Sequence, residues 1–149
     1  EAMQSGVERC MWEGRMEEVM PGVFFDGAHN EDGIDAFLTS VKHDGCNGVR
    51  SLLFSVVQDK ESRKMADMIT GSGLFDRIYT APIASDRSVS KEALEELFGT
   101  GSKVSYFDTP EQALSGVLCD RETEDCLYVA GSLYLIGQLK EWLKELAND

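Results

Sequence analysis

Short apolar runs alternate with amphipathic stretches along this chain, and that alternation restricts the fold more than any other feature. Val23–Phe25, Leu52–Val57, Arg77–Thr80, Val104–Phe107 and Leu127–Ala130 each read as a strand. Helical spacing follows each run. Ile34, Phe37, Leu38 and Val41 recur every three or four positions, as do Met65, Met68 and Ile69 within 60–69, and Ala93, Leu94, Leu97 and Phe98 within 91–98. After Val104–Phe107, Thr109 suits a helix N-cap, Pro110 the first turn and Gln112 the reciprocal capping position. The last stripe is Leu135, Ile136, Leu139, Trp142, Leu143 and Leu146. Five β-then-α units predict an α/β fold, with a mostly parallel sheet of five or six strands and helices on both faces. The runs are apolar throughout rather than alternating, which fits strands buried on both sides. Met3, Val7 and Met11 suggest a further helix at the start.

At 149 residues the expectation is a single domain over 1–149, large enough for a full hydrophobic core. The chain begins with Glu1 rather than Met, as a fragment of a longer protein would. The net charge of −13 argues against non-specific nucleic-acid binding, which relies on basic surfaces. No apolar stretch has the length of a membrane span, and no signal-peptide pattern is present. Cys10, Cys46, Cys119 and Cys126 show no CxxC spacing and read as free thiols in a reducing cytoplasm.

In a parallel sheet covered by helices, ligands sit beyond the carboxyl ends of the strands. Asp26-Gly27-Ala28-His29-Asn30 therefore falls at a functional edge, together with the strand exits at 58–60, 81–87, 108–109 and Gly131-Ser132. Asn30 suits an N-cap, and Glu31 and Asp32 suit the positive end of a helix dipole. Capping does not account for His29. The helix start after His29 already carries two acids, so it suits an ammonium group, a metal or a ribose hydroxyl. The start at Ser132 has no acid before Glu141, so its amides and hydroxyl suit a carboxylate or phosphate. A plain strand-to-helix turn at Gly131-Ser132 stands as the alternative. Neither His29 nor Ser132 is expected in the core. His43, near Lys42 and Asp44, reads as solvated. No Walker A, GxGxxG or HExxH motif occurs, so no familiar phosphate-binding loop or metal motif is available.

Four stretches come in order: Trp12-Glu13-Gly14-Arg15-Met16-Glu17, Val23-Phe24-Phe25-Asp26-Gly27-Ala28-His29-Asn30, Phe54-Ser55-Val56-Val57-Gln58-Asp59-Lys60 and Gly131-Ser132-Leu133-Tyr134-Leu135-Ile136-Gly137. Together they resemble the C-terminal domain of the folylpolyglutamate synthase / dihydrofolate synthase family, a branch of the Mur ligase superfamily. The resemblance covers essentially the whole chain. It implies a Rossmann-like domain of an ATP-dependent ligase that joins L-glutamate to folate or dihydropteroate through an acyl phosphate. It implies ATP and Mg2+ as cofactors, bound mainly by a preceding central domain that this chain lacks, and a cytoplasmic setting. By the same resemblance, Arg15 and Asp26 contact the nucleotide, while His29 and Ser132 bind or orient the incoming glutamate. Arg87 sits where the family often has an arginine, and equally reads as an exposed loop charge. Glu31 and Glu13 stand where proline is common in the family.

Two other classes stay open. One is the C-terminal domain of another Mur-type amino-acid ligase. The other is a non-catalytic α/β binding module, in which Asp26, His29 and Ser132 would scatter instead of facing one cleft.

Overall fold

A computed structural model describes residues 16–101 and 103–148. Among these residues, six strands and five helices follow one another. They are β1 (Glu17–Met20), β2 (Val23–Phe25), α1 (Glu31–His43), β3 (Arg50–Phe54), α2 (Ser62–Ser72), β4 (Arg77–Thr80), α3 (Lys91–Phe98), β5 (Val104–Tyr106), α4 (Pro110–Asp120), β6 (Cys126–Ala130) and α5 (Leu133–Ala147). The strands form one sheet in the order β1-β2-β6-β3-β4-β5. β1 pairs antiparallel with β2, and every other pairing is parallel. The predicted α/β architecture, a mostly parallel sheet of five or six strands, is the observed one, with six strands.

Strand side chains alternate between two faces, and each face has its own core. Leu52, Phe54, Tyr128 and Ala130 pack with Ile34, Phe37 and Val41 of α1, Met65 and Ile69 of α2 and Leu94 of α3. Leu53, Leu127 and Val129 turn the other way, onto Ala113, Leu114 and Val117 of α4 and Leu135, Ile136 and Leu139 of α5. Burial on both faces is why these runs are apolar throughout.

Most helix ends have a chemical cause. The Ser90 and Thr109 side chains cap α3 and α4 by accepting from Ala93 N and Gln112 N. α2 stops at Gly73, whose φ of 67° suits a left-handed C-cap. α2 starts at Ser62 rather than at Lys60, because Asp59 holds the preceding turn: its Oδ1 accepts Glu61 N at 2.8 Å and its carbonyl accepts Ser62 N. β3 ends at Phe54, short of the expected Val57. Beyond it the Ser55 hydroxyl bonds the Ala81 carbonyl, and Val57 leaves the ladder for an isolated bridge to Ser88. β1 is an additional element, joined to β2 by a tight turn at Pro21-Gly22 with Gly22 at φ 76°. The expected helix around Met3, Val7 and Met11 lies outside the described residues.

One consequence of the strand order positions the site. β6 runs between β2 and β3, which are linked by α1 on one face. The helix leaving β6, α5, lies on the opposite face. At the carboxyl end of β6 the chain therefore diverges from both neighbours, and such a divergence opens a crevice for a ligand.

Candidate functional site

Asp26 continues the β2 ladder by one residue, its N–H donating to the Val129 carbonyl at 2.8 Å. Its side chain is buried, and Oδ1 accepts the Ala28 N–H at 2.8 Å, folding the loop back on itself. This turn delivers His29 to the surface. His29 Nδ1 lies 2.9 Å from the Gly27 carbonyl oxygen. A carbonyl only accepts, so Nδ1 carries the proton in the neutral ring and Nε2 presents its lone pair. Asn30 then caps α1, its Oδ1 accepting Gly33 N at 2.8 Å. The Glu31 N–H is held from another loop, by Glu61 Oε1 at 2.9 Å. A proline at this position would have no N–H to offer, so the departure at Glu31 allows a hydrogen bond that ties the α1 start to the β3–α2 connection.

The second half of the site leaves β6. Gly131 has φ 122°, and a Cβ built there would sit 2.2 Å from the Ser55 carbonyl oxygen, so only glycine fits. Gly131 N donates to the Ala28 carbonyl at 2.9 Å, joining this exit to the His29 loop. Ser132 caps α5, its hydroxyl accepting Tyr134 N at 3.0 Å. The expectation that Ser132 stays out of the core is corrected: it is 2 % exposed, because its cap role turns the hydroxyl into the base of the helix. No acid occupies the first turn of α5, whereas Glu31 and Asp32 occupy that of α1.

The structure thus brings Asp26, His29 and Ser132 to one edge of the sheet, on loops leaving adjacent parallel strands. Arg15 lies outside the described residues. Arg87 is exposed and its guanidinium donates to the Gln58 carbonyl at 2.9 Å, while Gln58 N donates back to the Arg87 carbonyl. It joins the loops after β3 and β4. Glu61 and Gln138 carry no local sequence signal. Gln138 accepts Ala84 N and donates to Glu111, holding the loop after β4 against α4 and α5. Among the described residues, no three His, Cys, Asp or Glu side chains converge to hold a metal ion.

The sequence matches the family described as Mur ligase, glutamate ligase domain, over residues 14–133. The chain belongs to this family. Among curated relatives of this glutamate ligase domain, the dihydrofolate synthase/folylpolyglutamate synthase of Bacillus subtilis is 27% identical over 146 residues, covering 97% of this chain and 33% of that protein. Among solved structures, Escherichia coli FolC in complex with ADP superposes with a TM-score of 0.82 at 25% identity, covering 91% of this chain and 32% of that one. The bifunctional folylpolyglutamate synthase/dihydrofolate synthase of Yersinia pestis, complexed with AMPPNP and Mn ion, shares the fold with a TM-score of 0.78 at 21% identity, over 88% of this chain and 31% of that one. The chain spans about a third of the length of the relatives it matches.

Proposed function

We propose that this chain is the C-terminal domain of an ATP-dependent ligase that adds L-glutamate to a folate, or to dihydropteroate, through an acyl phosphate. ATP, with Mg2+, supplies the phosphoryl group that activates the acceptor carboxylate. The amine of glutamate then attacks the activated carbonyl, forming the amide and releasing phosphate. Such a step depends on positioning and on charge stabilisation more than on covalent help from the protein.

The observation that carries the reading is the Gly131 N–H to Ala28 carbonyl bond, which joins the His29 loop to the Ser132 helix start. Glutamate has an amine and carboxylates, and the two halves of this edge offer complementary chemistry. The His29 Nε2 lone pair accepts from the amine and orients it. The acid-free start of α5, with the Ser132 hydroxyl, receives a carboxylate. The same reading keeps Asp26 and Arg15 as the residues that contact the nucleotide. The magnesium ligands and the phosphate-binding loop belong to a central domain in the rest of the protein, and residues 1–149 form one domain that closes over it. No helix among the described residues is long and apolar enough to cross a membrane, and we place the enzyme in the cytoplasm. The gathering of Asp26, His29 and Ser132 at one edge favours this reading over a non-catalytic binding module.

The test is His29→Ala in the full-length enzyme, with glutamate varied at saturating ATP and folate. The expected result is a raised KM for glutamate, a lowered kcat/KM and unchanged stability, since His29 is exposed. Normal glutamate kinetics in both His29→Ala and Ser132→Ala would overturn the assignment. Faster turnover of the full-length enzyme on a peptidoglycan precursor than on folate would instead favour another Mur-type ligase.

A further inference from the structure

His29 stands between two backbone anchors that belong to different loops. On its amino side, the Ala28 carbonyl accepts the Gly131 N–H at 2.9 Å, from the exit of β6. On its carboxyl side, the Glu31 N–H donates to Glu61 Oε1 at 2.9 Å, from the connection between β3 and α2. Local need does not place the Glu61 side chain there. Glu61 is the N-cap residue of α2, yet its side chain makes no capping bond to that helix. It reaches instead to the first turn of α1, 30 positions away in sequence. A carboxylate is favoured at that end of a helix, and its bond to a backbone N–H is charge-assisted. Glu31 and Asp32 already put two acids in this turn, and Lys64 Nζ, 3.3 Å from Glu31 Oε1, offsets part of the like charge. Glu61 is itself well supported. Asp59 Oδ1 accepts its N–H at 2.8 Å, and Gln58 exchanges backbone and guanidinium bonds with Arg87 of the next loop.

We propose that Glu61 is a positioning residue for His29: its carboxylate fixes the start of α1 and so sets where His29 Nε2 stands beside the incoming amine. The proposal rests on the assignment of His29 to the glutamate amine. Glu61 acts through the Glu31 N–H rather than on the substrate. With both anchors in place, only His29 and Asn30 lie between fixed points of the backbone. With the Glu61 anchor released, water takes the partly buried Glu31 N–H and the loop is tied from one side. The helix itself survives, because Asn30 Oδ1 still accepts Gly33 N at 2.8 Å. The loss therefore falls on the placement of His29 more than on folding. Glu31→Pro reaches the same end by another route. Asn30 already has φ −146° and ψ 177°, the extended backbone that a residue before proline prefers, and proline suits the first helical position. The ring stiffens the joint and leaves no N–H for Glu61 to hold.

The experiment compares the full-length wild type with Glu61→Ala, Glu61→Gln, Glu31→Pro and the double variant Glu61→Ala/Glu31→Pro. It reads steady-state kinetics with glutamate varied, and amide hydrogen exchange in the peptide that carries residues 26–34. Glu61→Ala should raise the KM for glutamate roughly fivefold, about the worth of one hydrogen bond, and leave the KM for ATP unchanged. It should also speed exchange in that peptide. Glu61→Gln keeps an acceptor oxygen and should bring both readouts back near wild type. In the Glu31→Pro background, Glu61→Ala should change neither, because the N–H through which it acts is gone. Unchanged exchange in Glu61→Ala overturns the anchor. Faster exchange with normal glutamate kinetics, where His29→Ala is impaired, overturns the link to His29. Equal losses with and without Glu31→Pro, or a Glu61→Gln variant as impaired as Glu61→Ala, overturn the hydrogen bond as the cause. Failure of the underlying substrate assignment looks different: His29→Ala then has normal glutamate kinetics while Glu61→Ala still exchanges faster, so the anchor stands and the amine role falls.

Discussion

Ser132 accepts from the Tyr134 N–H while almost wholly buried, so its hydroxyl serves the helix as well as any ligand. Replacing such a cap by alanine costs about 1 kcal/mol of stability. Ser132→Ala should therefore lower the melting temperature of the full-length enzyme and also raise the KM for glutamate. Ser132→Gly separates the two effects, because glycine at an N-cap costs only a few tenths of a kcal/mol yet lacks the hydroxyl. If Ser132→Gly binds glutamate normally, the hydroxyl serves the helix alone. Gly131, one residue earlier, has no such division. With φ at 122° and the Ser55 carbonyl where a Cβ would go, Gly131→Ala combines backbone strain with overpacking and should cost roughly 2–5 kcal/mol. A chemical denaturation curve within 1 kcal/mol of wild type would refute that account. The placement of Asp26, His29 and Gly131-Ser132 at strand exits was legible from sequence because polar residues and glycine interrupt apolar runs there. Glu61 was not legible: the N–H that it holds lies 30 positions away, and no local pattern announces a cap made from another loop.

Elements with chemical punctuation at their ends were the most readable. β4 and α3 match their expected bounds, and α3 is fixed by the Ser90 cap and by Gly99. β1 escaped notice because Glu17-Glu18-Val19-Met20 is half acidic, as an exposed edge strand tends to be. The strand order was illegible too, since periodicity reports which face a residue buries and not which strand lies beside it. That order puts Tyr128 of β6 against the end of α1, where it makes a prediction about alkali. Burial, and then the bond to Asp44, pushes the Tyr128 hydroxyl above its usual value of 10.0, while Cys126 rises from 9.0 to about 12. Both groups hold their protons more tightly when folded. Their contribution to stability is complete below about pH 9, and it is lost as the unfolded chain ionises first and the folded groups follow. Urea unfolding should show stability falling as pH rises above 9, and Cys126→Ala should delay the onset of that fall relative to wild type. Equal pH profiles for the two proteins would show that Cys126 does not contribute.

At the scale of the whole molecule, the described residues hold two covered cores and, on the proposed function, only part of a ligase site. Both faces of the sheet carry an apolar core among the described residues, so the chain is expected to fold by itself. The candidate site is different. Its two halves meet at one edge, but Leu133 and Tyr134 beside them are more than half exposed. Among the described residues no set of side chains is arranged to hold a metal, and the sequence carries no glycine-rich loop to cradle phosphates. Phosphoryl transfer needs those charges held in place before the reaction begins. The chain expressed by itself should therefore unfold in one cooperative transition and form no amide product from ATP, glutamate and folate. Calorimetry beside a ligation assay checks both halves of this expectation. A folded, active isolated chain would mean that the phosphates are held by residues of this domain, and the division of labour proposed here would fall. A chain that unfolds without a cooperative transition would mean that the two cores need a neighbouring domain.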